Sequence, residues 1–274
     1  MEKGNLLVLM QPAELLIIGG AAIGTVFIGN PPHVLKAIAT GILAVFKGSR
    51  YSAGIYLDTL RFLNDFFNTA RKGSLASLEE DLDAPEKSAL FKRHPNFTRD
   101  HEAMLFFCDT MRTLVAGGVE VHDLDGIMEL DLEILHKQSG LPVSALSTMA
   151  DSLPGLGIVA AVLGVVITMS ALGGPPEEIG HKVAAALVGT FLGILLCYGF
   201  LGPMAANLKK QSDAESEYLS SLRTGLLAYM KGMSPILALE AARRAIPPHV
   251  RPTFKQMDEA CRKSAAAPVT EAAA

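Results

Sequence analysis

The chain has 274 residues, half of them hydrophobic, with no Trp, 6% aromatics and a formal net charge of −4. That balance leaves no basic reservoir for nucleic acid and excludes that partner class. Three cysteines, Cys108, Cys197 and Cys261, are odd in number and far apart; they fit neither a disulfide frame nor a CxxC metal site, and read as reduced, small apolar residues.

In chain order, the first apolar run covers residues 15–29 (LLIIGGAAIGTVFIG). As a helix it is only ~22 Å long, and it reaches spanning length by borrowing the preceding residues 6–14, with Pro12 and one carboxylate, Glu14. No signal-peptide pattern of charged start, apolar stretch and small-residue cleavage site precedes it. Residues 50–142 lack strand alternation and read as a chain of capped helices. Tyr56, Leu60, Leu63 and Phe67 recur at helical spacing up to a stop at Gly73. Ser77-x-x-Glu80 and Asp83-x-x-Glu86 look like capping boxes. Thr98 is a cap for a helix through Met104, Phe107 and Met111, and Asp123 for another ending at Gly140. Arg71, Lys72, Glu79, Glu80, Asp81, Asp83, Glu86 and Lys87 form a mixed-sign cluster. It is either a solvated face of loose ion pairs or a docking surface for a charged partner.

Residues 152–172 and 183–208 carry no charged side chain and flank the short turn GGPPEEIGHK. At ~1.5 Å per residue they are roughly 31 and 39 Å long, against a hydrocarbon core of about 30 Å, which predicts a transmembrane hairpin. Gly157, Ala161 and Val165 on one arm, and Ala185, Gly189 and Gly193 on the other, form ridges for close helix packing. Neither arm holds Asp, Glu, His, Lys or Arg, so an ion-conducting role requires a carboxylate from another chain. The polar groups left are Thr168, Thr190 and Tyr198; a mid-span Thr either back-bonds to its own helix or serves a path. Pro154 and Pro203 interrupt their arms near the cytoplasmic ends, as kinks or as hinges. Beyond the hairpin a polar helix continues, Ser234-Pro235 starts another that Pro247-Pro248 ends, and the tail reads as disordered.

Eleven Lys or Arg lie from Lys47 to Lys137 and ten more follow Leu208, whereas the hairpin turn has Lys182 alone. The large flanks are therefore expected in the cytoplasm and the turn outside, which for three spans puts Met1 outside. The predicted organisation is all-α: a transmembrane segment at 1–30, a helical cytoplasmic loop at 31–150, the hairpin at 151–208, a cytoplasmic helical region at 209–263 and the tail at 264–274. P-loop, HExxH and GxSxG motifs are all missing and the seven His show no ligand spacing, so neither an enzyme, a metal site nor a cofactor is expected.

Four blocks, QPAELLIIGGAAIG, RKGSLASLEEDLDAPEKSALF, DSLPGLGIVAAVLGVV and VGTFLGILLCYGFLGP, resemble in order the flagellar motor stator subunit family MotA, from about Gln11 to Arg262. The resemblance implies an inner-membrane, ion-driven torque generator: a ring of five subunits around a dimer of MotB, whose membrane carboxylate carries the ion, with the cytoplasmic loop acting on the rotor protein FliG. By motif, Arg71 and Glu79 match the rotor-contacting charges. Pro154 and Pro203 match the two prolines of the pore-lining spans. Thr190 matches the threonine facing the ion path, and Ala161 a small pore-facing position. The family has four spans and nothing here resembles the first, so Met1 is expected to be an internal methionine of a longer native chain. A related class, the ExbB/TolQ proton-channel subunits, has three spans with the N-terminus outside and is the second reading; a passive membrane scaffold is the third. Protons are the default ion.

Overall fold

The computed structural model describes residues 11–48, 50–73, 78–169, 173 and 175–266. All regular structure among them is helical. Residues 267–274 of the expected disordered tail and the capping residue Ser77 lie outside the described residues, while 264–266, expected in the tail, end the helix Phe254–Ala266. By its contacts the chain divides into two units, Met1–Gly48 with Gln138–Gln211, and Ser49–Lys137 with Ser212–Ala274.

The first unit begins with α1 (Pro12–Gly29), whose Pro sits in the first turn, where its missing N–H is no loss. Glu14, Ile18, Ala22 and Val26 are its buried residues, a stripe with a strict step of four. A second helix, α2 (Pro32–Val45), follows after Pro31 and buries Val34, Ile38 and Gly41. These side chains close small clusters with Ala145, Leu146, Ala205 and Leu208.

Helix α8 (Val121–Met169) runs 49 residues without a break, through Gly140, Pro142 and Pro154, which corrects the expected stop at Gly140. Each proline removes one donor from the ladder, yet buried Ala145, Leu146, Ala150 and Leu153 tie the stretch between the two prolines to its neighbours. The returning arm is α9 (Pro176–Leu195), then a six-residue π segment (Leu196–Leu201), then α10 (Gly202–Met230). In that π segment the Gly202 N–H donates to the Cys197 carbonyl, five residues back. Pro203, next in line, has no N–H to offer Gly199, so the shift of register comes where the α ladder would lose a bond anyway.

Three helices, Pro12–Gly29, Val121–Met169 and Lys182–Met230, are long and apolar enough to cross a membrane. Much of the apolar surface they carry faces outward: Leu16, Phe27 and Ile28 on α1, Val162 and Val166 on α8, Leu187 and Phe191 on α9. In water such surface would be a liability; in lipid, or against other helices, it is the expected exterior.

In the second unit, α3 (Ala53–Lys72) ends at Gly73 as its spacing predicts and brings Tyr56, Leu60, Leu63 and Phe67 inside. Short helices α4 (Glu79–Asp83), α5 (Ala89–Lys92) and α6 (Pro95–Thr98) lead to α7 (His101–Ala116), which stops at Gly117 with φ 74°. Three caps differ from expectation, one of them Asp123, which stands inside the first turn of α8 instead of before it. Asp83 closes α4 instead of opening a helix and is held by Arg112 at 3.1 Å, while Asp100, not Thr98, caps α7 by accepting the Ala103 N–H at 3.3 Å. Ser88 supplies the cap of α5. Phe62 stacks on Phe97 with ring centres 4.0 Å apart and meets Phe107 edge-on at 4.9 Å, the centre of an aromatic core. Helices α11 (Pro235–Ala245), starting behind Ser234 as expected, and α12 (Phe254–Ala266) close this core over α3.

Candidate functional site

Within the first unit, α8 and α9 meet through backbone. A methyl group added to Gly193 would stand 2.5 Å from the Leu153 carbonyl oxygen, and one on Gly157 would stand 2.8 Å from that of Gly189. One on Gly164 would stand 2.8 Å from the Ala186 Cβ. The seam is therefore Gly157, Ala160 and Gly164 against Ala186, Gly189 and Gly193. Sequence spacing named Gly157, Gly189 and Gly193 but assigned Ala161, Val165 and Ala185 in place of Ala160, Gly164 and Ala186. Ala160 is fully buried, whereas Ala161 is half-buried and Val165 is 49% exposed. The close approach serves the chain's own hairpin, where small residues let the helices come near enough for backbone contact.

Thr190 lies on this seam, its Cα 3.3 Å from the point where a Gly157 methyl would be, and its side chain is half-buried. Thr168 back-bonds to the Gly164 carbonyl at 2.8 Å, as mid-helix threonines commonly do. Thr190 differs: among the described residues its hydroxyl has no hydrogen-bond partner. Ala161 is one residue beyond the seam position Ala160. Pro154 sits half-buried within α8, directly after Leu153, whose carbonyl touches Gly193. Pro203 is exposed, immediately after the π segment.

Sequence reasoning passed over two features of this unit. The first is the π segment, which no composition rule announces. The second is Glu14. It is 8% exposed, and a methyl on Gly189 would stand 2.7 Å from its Oε2. The signal was available, a lone carboxylate heading an i, i+4 apolar stripe, but burial depends on what packs against the stripe.

In the second unit Arg71 is exposed in the last turn of α3, and Glu79 is exposed as the first residue of α4. Arg71 borders a groove with Leu114, Tyr229, Met233 and Pro235, and Tyr229 stacks flat on Phe67 at 4.1 Å. Arg112 anchors α4 by donating to the Leu82 carbonyl at 2.5 Å and to Asp83. Asp83 of the mixed-sign cluster is thus internally paired, while among the described residues neither Arg71 nor Glu79 has an ion-pair partner.

Long apolar helices with a backbone-tight hairpin define a helical membrane protein. Residues 1–74 match the family model for the N-terminal part of motility protein A, and residues 99–221 that of the MotA/TolQ/ExbB proton channel family. The chain is 38% identical over 256 residues to the chemotaxis protein LafT of Vibrio parahaemolyticus, covering 93% of this chain and 90% of the relative. To motility protein A of Salmonella typhimurium it is 35% identical over 259 residues, covering 94% and 88%. Its fold resembles a chain of the flagellar MotAB stator complex from Bacillus subtilis, with a TM-score of 0.69, 22% identity, and coverage of 94% of this chain and 91% of that one. The chain belongs to the motility protein A family, within the MotA/TolQ/ExbB proton channel family.

Proposed function

We propose the following assignment of parts for a chain that is, by its family, an ion-channel subunit of the flagellar stator. It resides in the bacterial inner membrane and crosses it with α1, α8 and the α9–α10 helix, with the second unit in the cytoplasm. Basic residues flanking the apolar runs support that orientation. Five copies surround a MotB-type dimer, which brings the ion-carrying carboxylate. Neither arm of the hairpin holds Asp, Glu, His, Lys or Arg, so a partner's acid is what the arms lack. The named relatives and the MotAB fold favour this arrangement over the ExbB/TolQ reading.

Thr190 and Ala161 line the ion path and Pro154 and Pro203 flank it as hinges, while Arg71 and Glu79 meet charges on the rotor protein FliG. The observation that carries the path is the unpartnered Thr190 hydroxyl beside a seam that the two arms build from Gly and Ala alone. A hydroxyl there can hand a hydrogen bond to a water or carboxyl arriving from a partner helix. The ion is the proton; at ~2.3 kcal/mol per charge per 100 mV, each one supplies a small step of work.

The test measures swimming together with proton flux in membranes carrying the MotB-type partner. Thr190→Val keeps shape and removes the hydroxyl; it is expected to cut both readouts by at least about tenfold, the cost of one hydrogen bond to a charged group, with the complex intact. Thr190→Ser retains most function. Wild-type flux and swimming in Thr190→Val would remove this residue from the path.

A further inference from the structure

We propose that Glu14 is an exchangeable proton-binding site of this chain's own, seated in a socket made by two glycines. The inference rests on the membrane-channel reading above and concerns a group which that reading does not use. Glu14 is more than nine-tenths buried at the head of the α1 stripe that continues through Ile18, Ala22 and Val26. Its carboxyl fills the space where Gly164 and Gly189 carry no side chain: a methyl on Gly189 would stand 2.7 Å from Oε2, and one on Gly164 would stand 3.6 Å from Oε1. Both helices of the hairpin are thus cut away at the same point, and the group occupying the cut is an acid.

Oε2 is buried and has no hydrogen-bond partner among the described residues. Among the described residues it has no ion-pair partner. On α8 the uncharged run extends over residues 152–172, with Asp151 beyond it; on α9 and the π segment it extends over 183–208, with Lys182 seven positions before Gly189 and Cys197 eight positions after it. Glu14 is the only charged residue of α1. The threonines of these two runs, Thr168 and Thr190, are neutral. An ionised carboxylate in such a place has lost its hydration and gained nothing, so the protonated acid is the form the socket accepts.

Proton exchange then has a structural cost that gives it meaning. Uptake adds H⁺ from water to one carboxylate oxygen, giving a neutral O–H. Release returns H⁺ to water and leaves a negative charge that the glycine socket cannot hold. The ionised side chain must swing toward water or a cation, loosening α1 from α8 and α9. Protonation of Glu14 is therefore linked to the packing of α1 on the hairpin, and the site is separate from the carboxylate of the partner subunit.

Infrared difference spectroscopy on the full complex in lipid vesicles, stepped through a pH series, tests this directly. Wild type is expected to show a protonated-carboxyl carbonyl band that disappears as pH rises and is missing at every pH in Glu14→Gln. If Glu14→Gln does not assemble, Glu14→Asp decides: the titrating band should persist at a shifted frequency. A wild-type spectrum with no band that these variants remove or shift overturns the proposal, as does a Glu14 band that stays constant across the series. The readout needs no ion flow. A complex that fails to conduct would sink the channel reading and leave the Glu14 band to be judged separately.

Discussion

At Gly193 the tolerance for a side chain is zero, because the neighbour is the Leu153 carbonyl oxygen and an added methyl would come within 2.5 Å of it. Gly193→Ala must push the two helices apart, and overpacking of this kind costs about 1–3 kcal/mol. A lower thermal midpoint of the detergent-solubilised complex is the expected result, and an unchanged midpoint would contradict the seam. Glu240 on α11 offers a test in the other unit. Hydrogen bonds from Arg243 foremost, and then from Arg244, outweigh its partial burial and hold its carboxyl at about 2. A folded value below the ordinary ~4.3 means stability that is present above that value and fades as pH falls toward the folded one. Glu240→Gln should therefore cost on the order of 2 kcal/mol at neutral pH and almost nothing near the acid end of that window. Hydrogen exchange of α11 amides against pH reads the difference.

Among the elements, the π segment and Pro203 belong together. Restoring an N–H with Pro203→Ala gives Gly199 a donor and removes one reason for the wide turn, so the helix should straighten. Spin-label distances from α9 to α10 would report the change, and swimming should slow without loss of assembly; unaltered distances would separate the proline from the π turn. Apolar length and small-residue spacing make the hairpin legible before any coordinates exist. They do not choose between Ala160 and Ala161, because a repeat of four defines a stripe and leaves open which side of it the partner helix takes. Gly140 and Pro142 carry local stop signals that packing overrides at Leu146 and Ala150, so α8 continues where sequence rules end it. Glu14 reads locally as an acid suited to a helix N-terminus; only the fold reveals the glycines opposite it. Ser234-Pro235 shows the reverse case, a start signal that nothing nearby contests.

For the molecule as a whole, the exposed charges Arg71 and Glu79 are the part whose role depends on a partner. Charge pairing across an interface governs orientation and encounter more than affinity. The double variant Arg71→Glu, Glu79→Lys should leave membrane assembly intact and sharply impair swimming, with partial recovery when the opposing rotor charges are reversed too. Normal swimming with wild-type partners would mean that these side chains are merely solvated. The aromatic core beneath them, Phe62, Phe66, Phe67 and Phe107 with almost no exposure, provides a firm backing for such a surface. Its counterpart in the first unit is an outer face of Val, Ile, Leu and Phe that must be covered by lipid or by neighbouring subunits.

The glycine seam also determines where the first unit can yield. Two helices touching through backbone have no side-chain cushion between them, so they can neither slide nor roll without first lifting apart. The α8–α9 pair is a stiff plate. Pro154 lies beside the Leu153 carbonyl that rests on Gly193, so a bend at this hinge has to move the seam with it. Pro203 has no such clamp: it is exposed, beyond the last seam residue, next to the widened turn. Of the two proposed hinges, Pro203 is therefore expected to bend at the lower cost, at the 196–203 end of the returning arm.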